Sequence, residues 1–475
     1  MYTHEGAIQK EHSKNHAIEF FSKAGSLMKN RKSFYGNEIS ALDLFKSVWY
    51  TGDYKLAMKL LFWLRDIRSG AGNRSAFEEI ITWLATQEND SKWIKANLHQ
   101  IPKYGRYKDL KALFNTDLET EAADFWSDKI IEGDSLAAKW AKRTDKALLK
   151  SLRKKKVVKN ISEFRKLLSR NRTNIVENKM CKNEWNKIEF SKVPSVAMAR
   201  YTKTFNTHIP EKFEQFKESL KKGKVKINSK DLFPHDCVRT VLNGDKEIAD
   251  AQFNSLPNFL EGVDQRIMSI VDTSGSMSTC VSGSIKAWHI STSLGLYCSD
   301  RLGKENPFYR KFMQFCDEGK LTDWTNKTFS ECYNNYDDYN GNTVFNGAVG
   351  GTRIDTALKT LLYYGTLFNV KQDQMPNVLL IISDMQFTSG VSESDTPVES
   401  VMKQWEECGY DRPKIIYWNT DGYSGSPEVA LKNNVALISG FSPSILKSIF
   451  DGKDFSPVAI MNRTLEKYNI IEPKE

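Results

Sequence analysis

An aspartate and two serines follow one apolar segment of this chain. The apolar run 267–271 is followed directly by Asp272, Ser274 and Ser276. At this spacing, a turn can point one carboxylate and two neutral hydroxyls at a single cation. Mg²⁺ prefers oxygen ligands and keeps several positions for water or an outside anion. The segment therefore predicts part of a site for Mg²⁺ or Mn²⁺.

Two later segments supply the remaining groups of the predicted metal site. Gly350-Gly351-Thr352 opens a run with helical apolar spacing, and Ser383-Asp384 ends the apolar run 378–382. We expect both at the edge of a sheet, where side chains from different elements meet. The predicted ligands are Asp272, Ser274, Ser276, Thr352 and Asp384, with Asp384 acting directly or through water. The alternative is a chance pattern or a degenerate site that binds no metal.

Apolar runs and helical patterns alternate from residue 265 onward. We predict buried parallel strands at 266–271, 311–316, 377–382, 413–418 and 434–438, and helices at 284–300, 352–368, 396–408 and 443–450. This alternation is typical of a doubly wound parallel sheet with helices on both faces. Sites in such sheets lie beyond the carboxyl ends of the strands, where Asp272 and Asp384 fall. Residues 317–351 are predicted to form a long irregular insertion near that edge.

The first part of the chain is predicted to be helical. Apolar residues such as Leu60 and Trp63 share one helical face, and Gly70-Ala-Gly72 breaks the pattern. Asp53 and Ser75 lie near expected helix starts. Further helices are predicted at 41–50, 91–98, 107–114, 119–131 and 134–151, then in a basic stretch 150–192 and in 194–262. We therefore predict a HEAT-like helical array in residues 1–262 and a sheet domain in residues 263–475.

Positive charge is concentrated in the helical part. Residues 1–262 contain 48 Lys and Arg against 33 Asp and Glu, whereas residues 263–475 contain 20 against 26. Residues 151–200 alone contain 14 against 4. This distribution favours a polyanion such as RNA as partner, with Phe164 available for base stacking. The candidate RNA contacts are Arg65, Arg68, Arg74, Lys103, Arg106, Lys108, Arg153, Lys154, Lys155, Lys156, Arg165, Lys166, Arg170 and Arg172.

Each basic group also has a structural interpretation. A charge run is usually a solvated face, and the run beginning at Lys150 could equally be a nuclear localisation signal. The arginines from Arg65 to Arg74 could instead cap helix ends and pair with Asp66, Glu78 or Glu79. Both interpretations stay open at the level of the sequence.

The sequence contains no recognisable catalytic motif. It lacks a Gly-x-Ser-x-Gly nucleophile turn and a Gly-x-x-x-x-Gly-Lys phosphate loop. The paired carboxylates Asp337-Asp338 lie in a polar loop, where we expect them to be solvated and not catalytic. Seven cysteines without a close pair favour reduced thiols, and no apolar run has membrane-spanning length. The first residues also lack the pattern of a secretory signal. We expect a non-enzymatic protein without a membrane partner, located in the cytoplasm, with the nucleus or a virion as alternatives.

The three segments of the predicted metal site resemble the metal-ion-dependent adhesion site of von Willebrand factor A domains. The resemblance covers roughly residues 263–475. It implies a doubly wound sheet of that type and an open metal position for a phosphate or a partner carboxylate. The family often has Asp-Gly where this chain has Asp384-Met385.

The helical part resembles the TROVE-module family of Ro-like RNA-binding proteins. The similarity rests on residues 62–74, with an Arg-Asp pair, a glycine-rich break and a second arginine, and on residues 99–107, with Pro-x-x-Gly-x-Tyr. The chain is also similar to an uncharacterised family from plants, fungi and large DNA viruses, through Val193-Pro-Ser, Tyr201-Thr-Lys-Thr-Phe, Pro234-His235, Tyr417-Trp-Asn and Ser439-Gly-Phe-Ser. The resemblance implies binding of RNA that is structured or has a free single-stranded end.

Three functions remain open from the sequence. The first is an RNA-binding protein with a metal site that holds an anionic group of RNA or of a protein partner. The second is a metal-dependent protein-interaction scaffold or virion component. The third is a metal-dependent nuclease, which the donor set disfavours because two-metal nucleases use several carboxylates.

Overall fold

The fold combines an N-terminal helical region with a sheet flanked by helices. The structure is a computed structural model and describes residues 15–27, 40–172, 175–229, 232–282, 284–333, 344–345, 350–388, 396–420, 435–452 and 454–474. Asp337 and Asp338 lie outside the described residues. Within them, no helix has both the length and the apolar composition needed to cross a bilayer.

Fifteen α-helices precede the first strand of the described chain. They are α1 His16–Lys23, α2 Ala41–Trp49, α3 Tyr54–Arg65, α4 Arg74–Ala85, α5 Ser91–Ala96, α6 Gln100–Tyr104, α7 Glu119–Ile131, α8 Ser135–Trp140, α9 Lys146–Lys154, α10 Ile161–Asn171, α11 Val176–Cys181, α12 Ser195–His208, α13 Pro210–Lys221, α14 Pro234–Leu242 and α15 Lys246–Asn254. A 3₁₀ helix, Tyr107–Leu113, lies between α6 and α7.

Short polar side chains start several of these helices. Asp53 accepts a hydrogen bond from the Leu56 amide and caps α3, as its position predicted. The cap of α4 is Asn73, two residues before the predicted Ser75. The predicted helix 134–151 is two helices, α8 and α9, so that prediction was wrong. At the C-terminal end of α8, the Arg172 guanidinium donates to the carbonyls of Ala138 and Ala141 and so satisfies acceptors that a continuous helix would have bonded.

The second part contains a six-stranded sheet. The elements of this second part are β1 Ile267–Asp272, β2 Cys280–Ser282, β3 Ile285–Lys286, α16 Ala287–Asp300, β4 Lys311–Phe315, β5 Gly319–Asp323, α17 Ile354–Leu367, β6 Val378–Ser383, α18 Pro397–Glu407, β7 Lys414–Asn419, β8 Val435–Ser439, α19 Ile445–Phe450 and α20 Pro457–Leu465. The strand order is β5-β4-β1-β6-β7-β8, with every pairing parallel except β4 with β5. A helical region followed by a mostly parallel sheet was predicted and is confirmed.

The central strands carry the metal motif to one edge of the sheet. β1 pairs with both β4 and β6, and all six residues of β1 and of β6 are buried. Asp272 ends β1, and Asp384 directly follows β6. Because these strands are parallel and adjacent, both carboxylates lie at the carboxyl edge of the sheet.

The predicted insertion 317–351 is partly regular. It contains β5 at the sheet margin and a 3₁₀ helix, Ser330–Tyr333, among its described residues. Neither β5 nor the small antiparallel pair of β2 with β3 was predicted from the sequence.

The two parts of the chain are joined by contacts at both ends. The segment after α1 reaches the sheet, where Ser26 donates to the carbonyl of Asn419 at 2.5 Å and accepts from the amide of Gly440 at 3.0 Å. At the other end, Tyr468 donates to Asp66 of the helical region at 2.9 Å. Buried apolar residues of both parts form one continuous cluster, and residues 176–251 contribute a second, smaller one. The division at residues 262/263 stays a prediction.

Candidate functional site

Asp272 is the centre of the candidate metal site. Its side chain has no solvent exposure. One carboxylate oxygen accepts from the Ser274 amide at 2.9 Å, and the other accepts from the Ser383 hydroxyl at 2.5 Å. The Ser291 hydroxyl on α16 donates to the Asp272 carbonyl at 2.8 Å. The carboxylate is therefore held by groups from β1 and β6 together.

Two further predicted ligands belong to the same turn. The hydroxyl oxygens of Ser274 and Ser276 lie 3.1 Å apart, within hydrogen-bond distance. The turn is fixed against the loop after the insertion, because the Gly275 amide donates to the Gly350 carbonyl at 3.0 Å. This bond places the segment that carries Thr352 beside the Asp272 turn.

Thr352 is buried and its hydroxyl has no hydrogen-bond partner among the described residues. Its backbone is tied to Thr388 in both directions, by the Thr352 amide to the Thr388 hydroxyl at 3.0 Å and by the Thr388 amide to the Thr352 carbonyl at 2.9 Å. A buried polar atom normally has a partner. The hydroxyl is therefore available to a ligand.

The loop after β6 has the backbone geometry that a glycine favours. Met385 has a φ of 64°, in the left-handed region, and its side chain is buried. The loop is closed by local bonds, since the Met385 amide donates to the Ser383 hydroxyl and the Gln386 amide donates to Asp384. The departure from Asp-Gly thus leaves the left-handed turn in place, with a methionine in it.

Asp317 positions the segment that carries Thr352, and the sequence did not indicate this role. It follows β4 and accepts from the Gly351 amide at 2.8 Å. Gly350 has a φ of 75°, and a side chain there would collide with Asp317. The glycine pair thus allows the Thr352 segment to approach β4. The only signal in the sequence was the pair of glycines, which did not reveal the partner.

Burial makes Asp272 hard to ionise without a cation. Loss of hydration and the neighbouring Asp384 charge raise the pKa of Asp272 to about 8, although hydrogen bonds from Ser274 and Ser383 oppose this shift. A cation would remove the repulsion between the two carboxylates.

The donor set suits a hard cation such as Mg²⁺. It offers two carboxylates and three hydroxyls, which are the oxygen ligands that Mg²⁺ accepts. Within the described residues, no group of three or more His, Cys, Asp or Glu side chains could hold a metal. A metal here would therefore depend on the hydroxyls of Ser274, Ser276 and Thr352, and it would supply positive charge to an anion.

Arg65 is buried, so its side chain cannot contact RNA directly, and its prediction as a contact was wrong. The side chain is 1% exposed and pairs with Asp109, whose carboxylate lies 2.6 Å from one terminal nitrogen. Loss of hydration lowers the pKa of Arg65, and Asp109 opposes this effect. Gly105 permits the pair, because a Cβ there would collide with both Asp109 and Arg65.

Two residues of the motif at 62–74 bind segments that are distant in the chain, and one of them, Asp66, contacts the second part. Asp66 accepts from Tyr468, and Lys467 lies 3.5 Å from the same carboxylate oxygen. The Asn73 amide group donates to the carbonyl of Ala24 at 3.1 Å and also to that of Leu27. These residues have structural roles that the pattern alone did not separate from binding.

The remaining candidate RNA contacts differ in exposure. Phe164 is fully buried, so its prediction as a stacking residue was wrong. Arg172 is half-buried on the α8 carbonyls, and Lys155 is half-buried and binds Asp124 and Asp128. Arg74, Arg106 and Lys108 are partly exposed. The exposed members are Arg68, Lys103, Arg153, Lys154, Lys156, Arg165, Lys166 and Arg170.

Two family models match the chain, and both describe domains of unknown function. Residues 134–273 match the Domain of unknown function DUF2828, and residues 266–471 match the Domain of unknown function DUF7788. The two matched ranges meet at β1. Neither range alone reaches half of the chain.

One curated relative and one solved structure are similar over most of the chain. The relative is uncharacterized protein L728 of Acanthamoeba polyphaga mimivirus, at 23% identity over 90% of this chain and 82% of that protein. The structure is the RO (RSR) protein of Deinococcus radiodurans, with a TM-score of 0.43 and 11% identity over 96% of this chain and 100% of that one.

Proposed function

We propose that this chain is an RNA-binding protein with a Mg²⁺ site of the von Willebrand factor A type. The exposed basic face of the helical region binds RNA. The metal at the sheet edge, with Mn²⁺ as an alternative, holds an anionic group of the RNA or of a protein partner. The site acts in binding and not in catalysis.

The metal part of the proposal rests on the meeting of three separate segments. Asp272, the Ser274–Ser276 hydroxyl pair and the unpartnered Thr352 hydroxyl are held by bonds between β1, β6 and the loop before α17. A buried hydroxyl without a bond costs about 1–3 kcal/mol, and a cation bound to Thr352 would remove that cost.

Mg²⁺ binding should be visible as thermal stabilisation. Ligand binding to the folded state alone stabilises it by about 2.7 kcal/mol at a hundredfold excess over Kd. We expect millimolar Mg²⁺ or Mn²⁺ to raise the Tm of the wild type but not of Asp272→Ala. If neither metal changes the Tm of the wild type, the site is degenerate and this part of the proposal is wrong.

The RNA part of the proposal rests on charge and its exposure. Lys154, Lys156, Arg165 and Lys166 are exposed on or beside α9 and α10, in the most basic stretch of the chain. Changing these four residues to Gln should weaken RNA binding across sequences. The log–log salt slope should fall by roughly 0.7–0.9 for each lost phosphate contact.

A matched control removes the same charge from the second part of the chain. Lys304, Lys320, Lys371 and Lys447 are exposed there. Their combined change to Gln should leave the affinity for labelled RNA nearly unchanged in an anisotropy titration. Equal losses in the two variants would mean that net charge, and not the α9–α10 face, determines binding.

The absence of catalysis is tested with the same RNA. One hard cation with hydroxyl ligands has little means to deprotonate water or to stabilise a leaving group. We expect saturated RNA to stay intact with Mg²⁺ or Mn²⁺. Cleavage that disappears in both Asp272→Ala and Asp384→Ala would establish a nuclease instead.

A further inference from the structure

Three arginines of the helical region converge on one buried carboxylate. Asp109 has no solvent exposure, and its two oxygens are contacted by Arg65, Arg74 and Arg106. These residues come from the end of α3, the start of α4 and the loop before the 3₁₀ helix 107–113. We call this group the Asp109 cluster.

One carboxylate cannot satisfy three guanidinium groups. One oxygen of Asp109 accepts from Arg65 Nε at 2.7 Å and from the Arg106 amide at 3.1 Å. The other oxygen lies 3.3 Å from Arg74 and 3.4 Å from Arg106, at the long end of hydrogen-bond distances. The buried Nη1 of Arg65 has no hydrogen-bond partner in the described chain. Arg74 is paired with Glu78 at 2.7 Å, and the Arg65 donor is shielded from solvent. The cluster nevertheless carries more positive charge than Asp109 alone can compensate.

Lys108 and Lys142 add to the positive charge of the cluster. Burial and the nearby charges of Arg74, Arg106 and Lys142 lower the pKa of Lys108, and Glu78 opposes this effect. A cleft of about 450 Å³ beside the cluster is lined by residues that include Arg74, Glu78, Glu79 and Lys108. Lys111 also lines it but is neutralised by Asp145, at 2.7 Å.

Five cations thus face three carboxylates. The cations are Arg65, Arg74, Arg106, Lys108 and Lys142, and the carboxylates are Asp109, Glu78 and Glu79. Two positive charges stay uncompensated, which is the charge that a phosphate monoester carries. Like charges held together cost free energy that a bound anion would recover.

Arg106 is already oriented for binding. Its guanidinium lies 5.0 Å from the centre of the Trp140 ring, and its Nε points to Asp109. No protein acceptor in the described residues takes its two terminal nitrogens. A guanidinium fixed in this way loses little conformational entropy when it binds the oxygens of a phosphate as a fork.

We propose that the Asp109 cluster, with Lys108 and Lys142, binds a phosphate group. This inference deepens the proposed RNA-binding function and rests on it, because the phosphate would come from the RNA. The chemistry is the same for an internal phosphate and for a terminal one. Arg106 supplies the fork, Lys108 and Lys142 supply mobile charges, and Asp109 fixes the scaffold.

The test compares two double variants of equal charge. Lys108→Gln with Lys142→Gln removes the mobile charges and leaves the Arg65–Asp109 pair intact. Lys224→Gln with Lys226→Gln is the control, at two exposed lysines elsewhere in the helical region. Binding is measured by anisotropy with a labelled ten-nucleotide RNA carrying a 5′-phosphate or a 5′-hydroxyl. Urea midpoints verify that all variants fold.

The first variant should bind RNA about tenfold more weakly for each lysine that contacts phosphate, the effect of one charge-assisted hydrogen bond. Its salt slope should fall by roughly 1.4–1.8 if both do so. A loss only with the 5′-phosphate would assign a terminal phosphate, and an equal loss with both RNAs would assign an internal one. Arg106→Lys should also weaken binding, because it keeps the charge but removes the fork.

The outcomes separate this inference from the proposed function. If RNA binding persists and both double variants equal the wild type, the cluster is only structural and the inference is wrong. If the wild type binds no RNA, the probe becomes inorganic phosphate, followed by Tm in a phosphate-free buffer. If phosphate raises the Tm of the wild type but not that of the Lys108/Lys142 variant, the phosphate site is supported and RNA binding is refuted. If phosphate does not raise the Tm of the wild type, both are refuted.

Discussion

The protonation of Asp272 gives a quantitative test of the candidate metal site. The pKa of this buried carboxyl is about 8 in the folded chain, against about 3.9 for an unperturbed Asp. Between these values the folded state holds a proton that the unfolded state has lost. Stability from this group is therefore complete below pH 4 and is lost as pH rises toward 8. The slope is about 1.4 kcal/mol per pH unit.

From pH 6 to pH 8 the loss amounts to about 2 kcal/mol, because the site begins to ionise near its own pKa. Asp272→Asn keeps the shape of the side chain but cannot ionise, so this variant should lack that loss. Burial lowers the pKa values of His235 and His289, and these groups change stability equally in both proteins. The difference between the two proteins therefore reports the ionisation of Asp272 together with its coupling to Asp384.

The measurement is urea unfolding at pH 6, 7 and 8, with EDTA or with millimolar Mg²⁺. In EDTA, the wild type should lose stability relative to Asp272→Asn as pH rises. Mg²⁺ should restore the wild type most at pH 8, because the metal binds the ionised carboxylate. Identical pH profiles of the two proteins in EDTA would refute the burial argument, and a pH-independent Mg²⁺ effect would place the metal elsewhere.

Three further predictions concern stability, each measured by urea unfolding. Met385→Gly should be more stable than Met385→Ala by about 1 kcal/mol, because both lose the buried side chain but only glycine tolerates the φ of 64° freely; the reverse order would contradict the left-handed turn. Gly105→Ala should lower the free energy of unfolding by at least about 2 kcal/mol, because the new methyl group would collide with the Arg65–Asp109 pair. Gly133→Ala, which has open space around it, should lower it by about 1 kcal/mol. Equal losses in the two variants would refute the packing argument. Tyr468→Phe should cost about 1–3 kcal/mol by leaving Asp66 short of a buried donor, and the exposed Tyr363→Phe should cost almost nothing.

The sequence predicted the strands of the sheet well because their signal is local. β1, β6 and β7 are buried along almost their whole length, so they appear as continuous apolar runs that end at polar residues. β5 was missed for the opposite reason, since most of it is exposed at the margin of the sheet. Its pairing with β4 depends on backbone bonds that leave no apolar pattern.

The metal motif and the basic residues show the same limit. Spacing along the chain predicted that Asp272 and Asp384 lie at one edge of the sheet, and the structure has them at the ends of the adjacent parallel strands β1 and β6. Their role as metal ligands, with Thr352, stays a prediction. Spacing did not identify Asp317, and it did not separate buried Arg65 from exposed neighbours. The partner of Arg65 is Asp109, 44 residues away. Such a long-range pair decides whether an arginine is a structural element or a ligand contact.

The contact of the α1 segment with β8 has a consequence for biosynthesis. The Gly25 amide binds the Ser439 hydroxyl, 414 residues later in the chain. At about 5–20 residues per second, a ribosome needs roughly 20–80 s to supply that partner. During this interval the apolar side chains of Phe20 and Phe21 have only the early helices to cover them. The segment after α1 can therefore bind the sheet only after β8 has been synthesised. In a prematurely terminated chain, α1 would stay uncovered and accessible to chaperones and proteases.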